Sequence, residues 1–317
     1  MFHDQIEESY FPQVSTRVLS RQIDPFTVLP ERARRSHGRF HTHPRDNYSL
    51  LVDSAEAVVP YRPTWQTVTI KSIEPVHQVT FRKKKSTFAF LSLKNGRTQT
   101  GESYWELLRA KALEVDPAIL DYQSSALRMI FSNDDGDRRY TADMLAIDDC
   151  GRVMVEEVKA SWSYFRQPDY AQLMAEVQSA CDASSLQLNR ITGDNLESDR
   201  RRSYNISRAF DDRFAAFDIT HEDLVSNAFA KSGGAIEFGD IASSLGLSWQ
   251  HSLTILNALM CQRLVAYDLG ECVCPDLQIL CPSPTVAATA DIRSICITKK
   301  ANDCPRSSVS KAAASNR

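Results

Sequence analysis

The two segments that decide the fold are Arg138-Arg139-Tyr140-Thr141-Ala142-Asp143 and Val153-Met154-Val155-Glu156-Glu157-Val158-Lys159. A turn, Asp148-Asp149-Cys150-Gly151, separates them, so the pattern predicts a β-hairpin with strands over residues 139–147 and 152–159. Side chains alternate along a strand, so Glu157 and Lys159 share one face and Glu156 points the other way. The hairpin therefore brings two carboxylates, Asp143 and Glu157, to the same sheet as an ammonium.

Such a group can hold a divalent cation and activate water against a phosphodiester. An aspartate within an apolar strand is disfavoured unless it has a partner, and Asp143 is one. Glu157 is the second expected ligand, and the Val158 carbonyl could add a third oxygen. Hard oxygen donors favour Mg²⁺, with Mn²⁺ as a substitute. Lys159 would stabilise developing charge or lower the pKa of the attacking water.

Purely structural roles are the alternative for each of these residues. Asp143 could pair with Arg138 or Arg139 at the strand edge, and a Glu-x-Lys on a strand is commonly a solvent-facing pair. The functional interpretation is favoured because Glu157 and Lys159 continue an apolar stripe, where a charge is either paired or functional.

A further carboxylate is expected from the preceding helix, which the periodicity predicts over residues 102–114 with Asp116-Pro117 ending it. Glu106 and Glu102 both compete for this role, and periodicity alone does not separate them. An exposed glutamate that pairs with Arg109 is the structural alternative for Glu106.

The order of elements predicts an α/β fold with a mixed sheet flanked by helices. We expect an irregular N-terminal extension with short strands over residues 1–80, a domain over 81–199, a linker at 200–207, and a second domain over 208–280. In that second domain the pattern predicts helices at 220–230, 238–245 and 249–261 and a strand at 263–269, which is typical of a winged helix. Residues 282–317 lack periodicity, so a disordered tail is expected.

Composition limits the partners. The 317 residues carry a net charge of −3, so a nucleic acid would have to be met by local basic segments, at 32–35, 82–85 and 200–202. The N-terminus shows no secretory signal and no run of about 18 apolar residues occurs, so a cytoplasmic protein without a membrane span is expected. The eight cysteines are then reduced thiols. A zinc site at Cys272, Cys274 and Cys281 is disfavoured because the spacing is unusual and no fourth ligand is near.

These residues together resemble the TnsA family of the PD-(D/E)xK endonuclease superfamily. The similarity covers about residues 85–270. It rests on six segments: Ser92–Arg97, Glu102–Glu106, Leu113–Pro117, Arg138–Met144, Val155–Lys159 and Leu188–Thr192. The resemblance selects Glu106 over Glu102 as the helix carboxylate, and it places Asp143, Glu157 and Lys159 on the family's catalytic positions. It also implies a restriction-endonuclease-like sheet followed by a winged-helix-like domain.

TnsA proteins are the endonuclease subunits of heteromeric cut-and-paste transposases. The resemblance therefore implies cleavage at the 5′ ends of a transposable element. It also implies a DDE-type transposase that processes the 3′ ends, and an AAA+ ATPase regulator that contacts the C-terminal part. Two alternatives stay open: a stand-alone restriction- or repair-type nuclease, and a non-enzymatic winged-helix DNA-binding or adaptor protein. The helix at 249–261 offers few basic side chains, which favours protein contact over groove binding.

Overall fold

The computed structural model describes residues 63–73, 87–282 and 292–301. All of them belong to the compact unit Thr42–Arg317. The basic segments at 32–35 and 82–85 lie outside the described residues. Within the described ranges, no helix has both the length and the apolar character needed to cross a bilayer.

The described residues form a mixed α/β structure, as the sequence predicts. The strands are β1 (Thr67–Ser72), β2 (Phe88–Leu91), β3 (Thr98–Gly101), β4 (Ile119–Ser124), β5 (Leu127–Asn133), β6 (Gly136–Thr141), β7 (Met144–Asp148), β8 (Val153–Lys159), β9 (Gln187–Thr192), β10 (Ala235–Glu237), β11 (Gln278–Leu280) and β12 (Cys296–Lys300). The helices are α1 (Tyr104–Val115), α2 (Trp162–Phe165), α3 (Pro168–Ala183), α4 (Gly193–Glu197), α5 (Arg200–Asp212), α6 (Ile219–Ser232), α7 (Phe238–Leu245) and α8 (Trp249–Cys261).

The central sheet has the order β4-β7-β8-β9. The β4–β7 and β7–β8 pairs are antiparallel, and β8–β9 is parallel. Alternation gives this sheet two apolar faces: Met144, Ala146 and Met154 pack toward α1. Leu145, Ile147 and Val155 pack into a second core that contains β1, β5 and α3. Because both faces are covered, β8 is buried at its five inner positions rather than at alternate ones, and two of those positions are the charged residues Glu156 and Glu157.

A second, antiparallel sheet has the order β12-β1-β5-β6. Its outer strand β12 corrects the expectation of a disordered tail over residues 282–317, because Cys296–Lys300 pairs along the whole of β1. Ile292, just before this strand, is 1 % exposed in the core below the sheet. Strand β12 has only a weak apolar pattern, so the sequence did not predict it. Its stability comes from pairing with β1, which also pairs with β5 on its other side. The rest of the expected tail, 283–291 and 302–317, lies outside the described residues.

The predicted single strand over residues 139–147 is wrong, because it is two strands in two sheets. Residues up to Thr141 pair with β5, and residues from Met144 onward pair with β4 and β8. Ala142 and Asp143 make the crossing between the sheets. Both halves have strand-forming side chains, so the sequence pattern carried no signal for the change of partner.

The predicted linker at 200–207 is also wrong, because these residues begin helix α5. Asp199 caps its N-terminus by accepting hydrogen bonds from the Arg201 and Arg202 amides. The helix buries Ile206, Ala209 and Phe210 in a core that also contains residues of α1 and α8. Three consecutive arginines suggested a solvated linker, but Arg202 is buried and ion-paired with Asp268 at 2.9 Å.

The C-terminal part follows the order α6, β10, α7, α8, β11. The expected helices over 220–230, 238–245 and 249–261 correspond to α6, α7 and α8. The predicted strand over residues 263–269 is wrong, since only Ala266 forms a bridge, to Leu280 of β11. Arg263 adopts a left-handed conformation with φ 64°, which breaks any extended run at its start.

Candidate active site

Asp143 is held where the chain passes from one sheet to the other. Its carbonyl accepts a hydrogen bond from the Ser125 amide at 2.9 Å. Its Oδ2 accepts one from the Val158 amide at 2.8 Å. Ser125 itself has φ 51°, a left-handed conformation that costs a non-glycine residue about 1–2 kcal/mol. Backbone contacts on both sides therefore fix the aspartate against the end of β8.

Lys159 gathers three oxygens around its ammonium. Nζ lies 3.1 Å from Asp143 Oδ2 and 3.1 Å from the Val158 carbonyl oxygen, and it also contacts Glu157 Oε1. These are the oxygens that the sequence analysis assigned to a cation, apart from the carboxylate of Glu106. An ammonium is a monovalent cation, so this cluster of hard donors already converges on one positive charge and fits a divalent ion chemically.

Burial divides the group into a sealed and an accessible part. The Glu157 side chain is 5 % exposed, whereas those of Asp143 and Lys159 are 22 % and 24 % exposed. Glu157 is therefore not half of a solvent-facing pair. Arg138 forms an ion pair with Glu176 at 3.3 Å, and Asp143 forms one with Lys159 at 3.1 Å. The contacts therefore differ from the expected pairing of Asp143 with Arg138 and from a solvent-facing Glu157–Lys159 pair.

The electrostatics of the group reflect an excess of negative charge. Desolvation first, and then the charges of Glu157 and Glu106, raise the pKa of Asp143 to about 8 against the opposing effect of Lys159. Burial lowers the pKa of Lys159, but the charges of Asp143 and Glu157 outweigh it and raise that pKa overall. A second positive charge placed here would lower the free energy of the ionised carboxylates.

Glu106 lies near this group but is engaged at the start of α1. Its Oε1 accepts from the Ser103 hydroxyl at 2.7 Å and its Oε2 from the Glu102 amide at 3.2 Å. Gly101 permits this position, because a Cβ there would lie 2.7 Å from Glu106 Oε2. Among the described residues, the carboxylates of Glu106, Asp143 and Glu157 do not all come within 4.8 Å of one another. The assignment of Glu106 as a ligand stays a prediction.

Two tyrosines that the sequence analysis did not assign to the site contact Glu157. The Tyr140 hydroxyl donates to Oε2 at 2.6 Å, and the Tyr170 hydroxyl donates to Oε1. Tyr140 lies three positions before Asp143, and Tyr170 is on the apolar stripe of α3. Tyr140 belongs to the Arg-Arg-Tyr-Thr-Ala-Asp segment that carries the family resemblance, which was the available signal for it. Tyr170 carried no such signal, because a tyrosine on an apolar helix face is typical of a core side chain.

The remaining candidates do not form comparable groups. In the described part of the chain, one trio of His, Cys, Asp or Glu brings its ligand atoms within 4.8 Å: Asp148, Asp149 and Cys150. Asp148 there accepts from the Cys150 and Arg152 amides and so closes the β7–β8 turn. The sulfurs of Cys272, Cys274 and Cys281 do not converge within that distance, so the zinc site gains no support from the described residues.

Comparison with known proteins adds no relative. No protein-family model matches this chain, and no curated protein matches it at a significant level.

Proposed function

We propose that this chain is a Mg²⁺-dependent endodeoxyribonuclease whose site is built from Glu106, Asp143, Glu157 and Lys159. The observation that carries the proposal is the convergence of Asp143 Oδ2, Glu157 Oε1 and the Val158 carbonyl on one cation, the Lys159 ammonium. The same oxygens would hold Mg²⁺, with Glu106 as a further carboxylate. Mn²⁺ should substitute for Mg²⁺ because it accepts the same oxygen donors.

When bound, Mg²⁺ would supply Lewis-acid polarisation of a phosphate oxygen and a more acidic water. The residues of the chain supply the rest. Asp143 and Lys159 are the accessible members of the site, so a phosphodiester can approach from their side. An ammonium on the flexible lysine stem can then donate to the phosphate oxygens as charge develops there. The Glu157 side chain is 5 % exposed, so its oxygens are largely shielded from bulk water.

The fold supports a finer assignment. A mixed sheet in which the carboxylates lie at the end of a hairpin, followed by a parallel strand, agrees with a restriction-endonuclease-like sheet. The order of the C-terminal elements agrees with a winged helix: α6, β10, α7 and α8 are followed by the Ala266 bridge and β11. On these grounds, and on the sequence resemblance, we infer a TnsA-type endonuclease subunit that works on double-stranded DNA at transposon ends. Its partners would be a DDE-type transposase and an AAA+ ATPase, in a cytoplasmic assembly.

The non-enzymatic alternative receives less support from α8. This is the helix that would read DNA in a winged helix, but it is buried almost throughout from Ser252 to Cys261. Asn257, one of its few polar candidates, is tied to Tyr267 at 2.6 Å and to Asp212 at 2.7 Å. Gln250 and His251 at its N-terminus are exposed, but neither is a lysine or arginine, so the helix presents little positive charge to a phosphate backbone.

The proposal is tested by cleavage of supercoiled plasmid DNA by the purified protein with Mg²⁺ or Mn²⁺. The wild type should break strands only when the cation is present, and Asp143→Ala should lower the rate by about a hundredfold or more. Asp149→Ala is the matched control, because it removes a carboxylate from the other acidic group and should leave cleavage unchanged. Equal cleavage by wild type and Asp143→Ala, or no cation-dependent cleavage by the wild type, would contradict the proposal.

A further inference from the structure

Glu157 is the carboxylate of the site that accepts the most hydrogen bonds. Oε1 accepts from Lys159 Nζ and from the Tyr170 hydroxyl, and Oε2 accepts from the Tyr140 hydroxyl at 2.6 Å. A carboxylate oxygen has two lone-pair sites, so both sites of Oε1 are filled. A divalent cation can bind this oxygen only after one of its two donors has left.

Charge decides which donor leaves. An ammonium and a divalent cation repel each other over a few ångströms, whereas a hydroxyl is neutral and keeps its favourable contact with the carboxylate. Lys159 also contacts the other oxygens proposed for the cation, Asp143 Oδ2 and the Val158 carbonyl. Lys159 is therefore the group that a divalent ion displaces, and the tyrosines are the groups that remain on Glu157.

The two tyrosines come from different elements and restrain the carboxylate from two directions. Tyr140 is on β6 in the second sheet and is 5 % exposed within its core. Tyr170 is on α3, where its ring lies 5.9 Å from that of Phe165. Once Lys159 has left, these hydroxyls are the contacts that keep Oε1 aimed at the position of the cation.

We propose that Tyr140 and Tyr170 are positioning residues that orient Glu157 for a divalent cation, while Lys159 is the resident counter-ion that the cation replaces. The inference rests on the proposed function, because it assumes that Glu157 is a ligand. Loss of an outer hydrogen bond to a metal ligand typically weakens metal binding by about 10–100-fold. Removal of the competing ammonium should act in the opposite direction.

The test is the Mn²⁺ dissociation constant, measured on the full chain without DNA by the electron paramagnetic resonance signal of free Mn²⁺. Tyr140→Phe and Tyr170→Phe should each bind Mn²⁺ about tenfold more weakly than the wild type. Lys159→Met should bind it at least as tightly as the wild type, although it is expected to lose cleavage. The thermal unfolding midpoint of each cation-free variant is recorded in parallel.

Tyr122→Phe is the matched control. Its hydroxyl donates to a buried carboxylate outside the site, that of Glu114, at 2.8 Å. It should lower the unfolding midpoint without changing the Mn²⁺ dissociation constant. If Tyr140→Phe and Tyr170→Phe behave like this control, the hydroxyls are merely structural and the inference is overturned. If the wild type binds no Mn²⁺, the proposed function itself fails, which is a different result from selective failure of the tyrosine variants.

Discussion

Lys94 and Arg97 belong to a turn that contributes to the family resemblance, and their contacts are structural. Lys94 Nζ donates to the Ile119 carbonyl at 2.9 Å and also to that of Asp116. Arg97 pairs with Asp121. Both side chains thus tie the β2–β3 turn to the start of β4 and to the end of α1. The sequence pattern identified these basic residues but did not predict the groups with which they form hydrogen bonds and ion pairs.

The burial of Lys94 predicts a pH dependence. Desolvation lowers its pKa to about 8, against the opposing charges of Asp116 and Glu114. Between pH 8 and about 10.4, the unfolded chain holds this proton and the folded chain has lost it, so the free energy of unfolding rises with pH in that window. Below pH 8 the proton is bound in both states and the contribution is constant.

Comparison with Lys94→Met isolates this contribution from other groups that titrate there. The difference in free energy of unfolding between wild type and variant should grow in favour of the wild type by about 1–3 kcal/mol from pH 8 to 10.4. Urea unfolding at several pH values measures it. A difference that stays flat across this range would show that Lys94 titrates normally.

Helix α1 and strand β8 are joined by a buried ion pair. Arg109 donates from Nε and Nη2 to the two oxygens of Glu156, at 2.8 and 2.7 Å. Neither side chain is more than 2 % exposed. This pair lies on the face of β8 opposite Glu157, so it positions the strand that carries the site without taking part in the chemistry. The alternation of the sequence placed Glu156 on this face but gave no partner for it.

Arg109→Ala should lower the free energy of unfolding by about 3–5 kcal/mol, because it leaves an unpaired charge in the interior. Arg109→Met combined with Glu156→Gln removes both charges and keeps an acceptor for Asn189, which contacts Glu156 at 3.3 Å. The double variant should be clearly more stable than Arg109→Ala in denaturant unfolding. A double variant no more stable than the single one would mean that packing, rather than charge, holds the two elements together.

Elements with local signals were predictable from the sequence. Helices α6, α7 and α8 form close to their predicted bounds, and the Ser103 cap and Asp116 mark the ends of α1. The errors concern partners. The change of sheet at Asp143 and the packing of α5 both depend on residues distant in the chain, which periodicity does not identify. The same holds for the site. The residues Asp143, Glu157 and Lys159 were predicted from the sequence, whereas the contacts of Tyr140 and Tyr170 with Glu157 became visible only in the tertiary structure.

At the scale of the whole molecule, strand β12 joins two parts of the chain that are far apart in sequence. This strand is close to the C-terminal end of the described residues and pairs antiparallel with β1, close to their beginning. The edge of β1 is therefore covered, and β12 is the outer strand of this sheet. The residues before β12 also contribute to the core that supports the β7–β8 hairpin.

Ile292→Ala tests this contribution. The side chain is 1 % exposed, so truncation should cost about 2–5 kcal/mol of unfolding free energy, which includes the cavity it leaves. The exposed Cys296→Ser in β12 is the control and should stay within about 0.5 kcal/mol of the wild type. Chemical denaturation measures both. An Ile292→Ala variant as stable as the control would show that this segment is dispensable for the core.

The central claim is that one divalent ion binds at the oxygens now gathered around Lys159. The most direct measurement is an anomalous difference map from a crystal of the protein soaked in Mn²⁺. We predict a peak about 2–2.2 Å from Asp143 Oδ2, Glu157 Oε1 and the Val158 carbonyl oxygen, with the ammonium withdrawn. A map whose Mn²⁺ peak lies instead at Asp148, Asp149 and Cys150, or that has no peak beside Asp143, would contradict the claim.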